Sequence, residues 1–147
     1  MPGRYFGIEP ERWLIEEGID NELGQSIIKI KKPTFDFNPD FDLSVFNQKF
    51  DYIIAQSVFS HAAETQIRKC LSEVNKVMSN KGIFVATFME GNQNYPGKRW
   101  VYPGCVTYTM EHMRKLVEDL GLAVERLNVP HPSRQIWMRI SAPSHKG

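Results

Sequence analysis

Apolar and polar positions alternate most legibly between Lys49 and Gly91. Phe50, Tyr52, Ile53, Ile54 and Ala55 form a short, nearly continuous apolar run, the pattern of a strand buried on both faces of a parallel sheet. Apolar residues then recur at Ile67, Cys70, Leu71, Val74, Val77 and Met78, a spacing that places them on one stripe of a helix. Asn80-Lys81-Gly82 predicts the end of that helix, with the glycine in a left-handed turn, and Ile83 to Phe88 is a second apolar, β-branched run. Strand, helix and strand predict a right-handed βαβ crossover. Ligands of such sheets bind beyond the carboxyl ends of the strands. Gln56, Ser57, Val58, Phe59, Ser60 and His61 are therefore expected to line a site, with Met89, Glu90 and Gly91 beside them.

Upstream, Arg4 to Ile8 reads as a strand ending at Glu9-Pro10. Proline suits the first turn of a helix, so Pro10 to Glu17 predicts a short helix with Trp13 and Leu14 facing inward and Gly18 at its end. Glu9, at a strand end, has the position from which a carboxylate accepts hydrogen bonds from the vicinal hydroxyls of a ribose, or equally caps the helix that follows. Asn21 to Ile30 has weaker helical or extended character, and Pro33 breaks it. Thr34 to Phe37 alternates as a short strand, and Asn38-Pro39-Asp40 is a turn. Asp40 beside Phe41 suits an adenine ring, by acceptance from the exocyclic amine and by stacking; the alternatives are a turn-capping carboxylate and a core aromatic.

Downstream, Asn92 to Tyr108 is a long loop rich in Asn, Pro, Gly and aromatics, and loops of that length are often functional. Tyr95, Trp100, Tyr102 and Tyr108 either build a substrate pocket or lid or cover the core. Thr109 is a good cap for a helix whose stripe is Met110, Met113, Leu116, Val117 and Leu120, closed by Gly121. Leu122 to Val129 and Gln135 to Ser141 predict an antiparallel hairpin, and residues 142–147 a disordered tail.

Composition narrows the classes. At 147 residues, 41% hydrophobic and 24% charged, the chain is expected to form one domain over residues 1–141. A net charge of +1 with interspersed signs gives no basic face for nucleic acid and no polybasic helix for a membrane. No apolar run is long enough for a signal peptide or membrane span, which favours the cytoplasm. Cys70 lies on the helical stripe and Cys105 in a Pro-Gly loop, so neither is expected in a disulfide. The four histidines, His61, His112, His131 and His145, are scattered, and no metal site is expected.

The segments YFGIEPE, DFDLSVFNQKFDYIIAQSVFSH, SNKGIFVATF and TYTMEHMRKLVEDLGLAVERL, in this order, resemble the class I S-adenosylmethionine-dependent methyltransferases. They look like the family's second strand with its ribose-binding acid, the adenine-side loop and fourth strand, the fifth strand, and the late helix with the sixth strand. The resemblance implies an α/β fold: a Rossmann-like three-layer sandwich, its sheet mostly parallel with an antiparallel last strand. The family's first strand and glycine-rich loop have no counterpart here, so a chain truncated at its N-terminus is expected, with a sheet edge open to a second copy. For the cofactor S-adenosylmethionine the resemblance implies Glu9 at the ribose, Asp40 and Phe41 at the adenine, and Gln56 and Ser57 at the methionine end. His61 is the candidate general base, or else a capping or packing residue. The expected activity is methyl transfer to a small-molecule or sugar-like acceptor. The alternative is a non-catalytic α/β module acting through self-association or partner binding. Neither a Y-x-x-x-K pair for hydride transfer nor a G-x-S-x-G elbow for hydrolysis occurs.

Overall fold

The computed structural model describes residues 1–144 and divides into two compact units, Met1–Asn47 and Gln48–Gly147. The expected tail therefore lies partly outside the described residues.

In Met1–Asn47, strand β1 (Phe6–Ile8) pairs in parallel with β2 (Thr34–Asp36), Phe6 opposite Thr34 and Ile8 opposite Asp36. Between them run α1 (Arg12–Gly18), a π-helical turn over Ile19–Leu23, and α2 (Gln25–Lys31). Gly18 is the last residue of α1, as expected, but it keeps a right-handed φ of −61° and the chain winds on into the π-helical turn. Gly24, at φ +80°, makes the break instead. Trp13 and Leu14 do not face inward: they are 56% and 42% exposed. None of these residues is fully buried, because two three-residue strands and two seven-residue helices offer too little apolar area to enclose.

The second unit contains β3 (Phe50–Ala55), α3 (Glu64–Val77), β4 (Met78–Glu90), β5 (Thr107–Tyr108), α4 (Met110–Glu118), β6 (Ala123–Leu127) and β7 (Ile136–Ser141). The sheet runs β3-β4-β7-β6, with β5 added beside the far end of β4. β3 is parallel to β4, while β7 inserts antiparallel between β4 and β6. The helical stripe is buried as its spacing demands, Ile67, Leu71 and Val74 included, and so are Phe84, Ala86, Phe88, Met138 and Ile140 of β4 and β7. Apart from Ala86, each such side chain contributes roughly 1.5–3 kcal/mol by leaving water. Arg68 to Asp119 at 3.1 Å and His112 to Glu64 at 3.0 Å join α3 and α4 into one layer.

Two expectations for the central crossover are corrected. β3 is not buried on both faces, because Tyr52 and Ile54 are 81% and 66% exposed. Alternate side chains of a strand point to opposite faces, and only the face of Ile53 and Phe84 lies under the helices. Gly82 does not adopt a left-handed turn, and the chain passes from Val77 straight into β4. Glycine is required there by crowding: a Cβ would collide with Met78 Cγ and lie 3.0 Å from the Phe50 carbonyl oxygen. The pairing slips at this point, Phe50 facing Met78 but Tyr52 facing Ile83. Among the described residues no helix is long and apolar enough to cross a membrane.

Candidate functional site

In Met1–Asn47 the chemistry-bearing residues sit on the connections leaving β1 and β2. Glu9 follows β1, and its Oε1 accepts from the Glu11 amide at 2.9 Å, so the carboxylate organises the approach to α1. The loop after β2 is built on Asn38, the first residue of the expected Asn38-Pro39-Asp40 turn. Asn38 Oδ1 accepts from the amides of Asp40 and Asp42, at 3.2 and 2.9 Å, while its Nδ2 donates to Asp36 Oδ1 and the Asp42 carbonyl. The signal was its place in Asp-Phe-Asn-Pro-Asp, since a short amide side chain closes turns on its own backbone. This framework holds Phe41 at φ +56°, a conformation uncommon for an aromatic residue, with its ring half-buried and Asp40 exposed beside it.

In Gln48–Gly147, His61 does not open α3; the helix starts at Glu64 behind Ala63. His61 instead lies in the turn after β3, and its Nδ1 is 2.9 Å from both the Val101 and Gly104 carbonyl oxygens. A carbonyl oxygen only accepts, so Nδ1 carries a proton, and the tautomer this selects is the one whose lone pair is on Nε2. Backbone bonds from Val101 N to His61 O (2.9 Å) and Val106 N to Ser60 O (2.8 Å) seat the aromatic loop on this turn. Trp100 and Tyr102 are thereby brought to His61, with ring centroids 5.5 and 5.6 Å from the imidazole. Tyr95 is engaged within its own loop, its hydroxyl donating to the Arg99 carbonyl at 3.2 Å.

Gln56 and Ser57 follow β3. Gln56 is exposed, its Nε2 3.3 Å from His131 Nε2. Ser57 stands at φ +57°, and its amide donates to Thr87 Oγ1 at 2.8 Å. Thr87 and Gln135 are buried polar residues the sequence reading passed over; the visible signal was a hydroxyl inside the apolar run Ile83 to Phe88. Farther along, Tyr108 is wholly buried and donates to the Ala62 carbonyl at 2.8 Å. Burial, and then the charges of Glu64 and Tyr95, push its hydroxyl up to about 12. Burial also acts to raise the Glu64 carboxyl, but hydrogen bonds from Arg68 and His112 outweigh it and hold the group below the usual range. A shallow groove along α4, lined by Asn94, Thr109, His112 and Asp119 among others, contains none of the predicted site residues. Among the described residues no group of three or more His, Cys, Asp or Glu is placed to hold a metal ion.

No family model and no curated protein matches the sequence. Solved structures do match the fold. The glycopeptide N-methyltransferase MtfA, complexed with S-adenosyl-L-methionine, superposes with a TM-score of 0.71 at 9% identity, over 95% of this chain and 78% of that one. DhpI in complex with SAH matches with a TM-score of 0.67 at 11% identity, over 97% and 68%. Magnesium protoporphyrin IX methyltransferase (ChlM) from Synechocystis PCC 6803 matches at 0.67 and 12% identity, over 94% and 59%. The chain thus spans 59–78% of the length of these three proteins. The architecture is that of the class I S-adenosylmethionine-dependent methyltransferases: mixed α/β, with parallel pairing at the crossover and an antiparallel last strand.

Proposed function

We propose that this chain serves S-adenosylmethionine-dependent methyl transfer to a small-molecule or sugar-like acceptor. The observation that carries the reading is the cluster beyond β3, where His61 has its tautomer fixed and Trp100 and Tyr102 lie against it. The bound cofactor supplies an electrophilic methyl group. His61 Nε2, holding a lone pair, takes the proton from an acceptor hydroxyl or amine, while Nδ1–H anchors the ring to the backbone of the aromatic loop. Trp100 and Tyr102 offer exposed ring faces on which an acceptor stacks, and Tyr95 braces the same loop.

Each unit by itself carries groups suited to part of the cofactor. In Met1–Asn47 the Glu9 carboxylate is the acceptor for ribose hydroxyls, and Phe41 with Asp40 presents a ring and a carboxylate for adenine. In Gln48–Gly147 the backbone and side chains of Gln56 and Ser57 take the methionine end. Two free cysteines, Cys70 and Cys105, support a reducing compartment such as the cytoplasm.

Calorimetric titration with S-adenosylhomocysteine tests the reading, on the wild-type chain and on Glu9→Ala. Micromolar binding weakened at least tenfold by the substitution is expected. Absence of heat at millimolar ligand refutes cofactor binding by this chain. A second reading, a non-catalytic module that pairs with its own copy, is supported by β3, the terminal strand of its sheet, whose Tyr52 and Ile54 are exposed. Sedimentation distinguishes it: a dimer broken by Ile54→Lys supports self-association through this strand, and a monomer at all concentrations rules it out.

A further inference from the structure

Three polar side chains close a ring beneath the turn that follows β3. The Ser57 amide donates to Thr87 Oγ1 at 2.8 Å, Thr87 Oγ1 donates to Gln135 Oε1 at 2.8 Å, and Gln135 Nε2 donates to Ser57 Oγ at 3.0 Å. Thr87 is inaccessible to solvent and Gln135 is 6% exposed, so the bond between them is shielded from water, while the two bonds to Ser57 are part-buried. A threonine hydroxyl has a single proton. Thr87 gives that proton to Gln135 Oε1, which turns the amide so that its NH2 faces Ser57. Ser57 Oγ is then occupied as an acceptor by Gln135, and its own proton remains available as a donor.

The ring also explains the backbone. Ser57 stands at φ +57°, where a side chain crowds the following carbonyl and where serine has no glycine-like freedom. Such a conformation persists only where the surroundings over-determine it, and such residues gather at functional sites. Here the Ser57 amide and hydroxyl are both gripped from below by residues of two other chain segments, Thr87 on β4 and Gln135 just ahead of β7. Both grips lie at the carboxyl end of β3, the place where ligands of parallel α/β sheets bind.

We infer that Thr87 and Gln135 are positioning residues that lock Ser57 in its left-handed conformation and present its hydroxyl proton to an anionic ligand group. Resting on the methyltransferase reading, that group is the carboxylate at the methionine end of the cofactor. Neither positioning residue touches the ligand; both act through Ser57.

The test combines S-adenosylhomocysteine titration with amide hydrogen exchange and backbone chemical shifts of Ser57 by NMR. Thr87→Val keeps the shape of the side chain and removes the oxygen. It is expected to lower S-adenosylhomocysteine affinity tenfold or more, to raise Ser57 amide exchange at least tenfold, and to abolish the left-handed shifts. Thr87→Ser is expected to restore all three. Gln135→Glu, a second route should the valine variant not fold, replaces the NH2 donor with an acceptor, draws the Ser57 proton inward, and is expected to weaken binding similarly. Val74→Ala, a core truncation in α3, controls for lost stability and leaves affinity unchanged. Wild-type affinity and left-handed shifts in both Thr87→Val and Gln135→Glu overturn the inference, as does an equal loss in Val74→Ala. A wild-type chain that gives no heat removes the cofactor assignment, and Ser57 exchange in Thr87→Val then decides separately whether the lock exists.

Discussion

Tyr108→Phe removes one oxygen atom from the centre of the larger unit and leaves the ring in place. Tyr108 has no solvent exposure, and its hydroxyl donates to the Ala62 carbonyl, also inaccessible, across 2.8 Å. The phenylalanine ring still stacks against His112, which lies 6.0 Å away with 8° between the planes. Packing is therefore retained, and the loss is confined to a buried acceptor left without its donor. Such a loss costs about 2 kcal/mol, within a range of roughly 1–3. For a chain of this size each kcal/mol moves the midpoint of thermal unfolding by about 3 °C, so a fall of about 6 °C is expected by circular dichroism or calorimetry. The same variant makes an alkaline prediction. The Tyr108 hydroxyl is raised from 10.0 to about 12, so the folded state holds this proton more tightly than the unfolded chain. Its contribution is complete below pH 10 and is lost as pH rises towards about 12. Tyr108→Phe abolishes that part of the alkaline slope and removes the latest step of the tyrosinate absorbance titration. A midpoint within about 1 °C of wild type, together with an unchanged titration curve, refutes the buried-donor argument.

The remaining predictions concern the same unit. Cys105 is exposed and is expected to react promptly with a thiol reagent at pH 8, whereas Cys70, pushed up to about 12 by burial and by Glu73, reacts only on unfolding; equal rates contradict this. Gly82→Ala drives a methyl into Met78 Cγ and to 2.9 Å from the Ser79 carbonyl oxygen, and is expected to cost about 1–3 kcal/mol by urea denaturation. Hydrogen bonds from Lys69 and then Lys76 hold Glu73 below the usual carboxylate range, so its contribution is present above the unfolded value and is lost as pH falls through the folded one. Glu73→Gln is accordingly expected to flatten the acid limb of the stability profile, and an unchanged limb shows that the two lysines contribute nothing.

Local pattern alone determined the crossover. The apolar run at Phe50 to Ala55, the stripe from Ile67 to Met78 and the run at Ile83 to Phe88 became β3, α3 and β4, with Met78 falling past the helix as the first residue of β4, because spacing fixes which residues share a face. Thr109 capped α4, its Oγ1 accepting from the His112 amide at 3.1 Å, and Gly121 closed the helix with a φ of +72°, since both are effects of a single turn. The tertiary structure decided what depends on partners distant in sequence. Whether β3 is covered on both faces rests on what packs against Tyr52 and Ile54, which no feature of the strand itself specifies. Gly82 read as a turn glycine, yet its reason is the approach of Met78 and Phe50. At the candidate site the sequence supplied residue types at strand ends, His61 and Ser57 among them. It did not show that Trp100 and Tyr102 come to His61, some forty positions away, or that Thr87 and Gln135 close on Ser57. Those meetings follow from β7 inserting between β4 and β6 and from the aromatic loop folding back on the turn after β3, long-range pairings that periodicity does not encode.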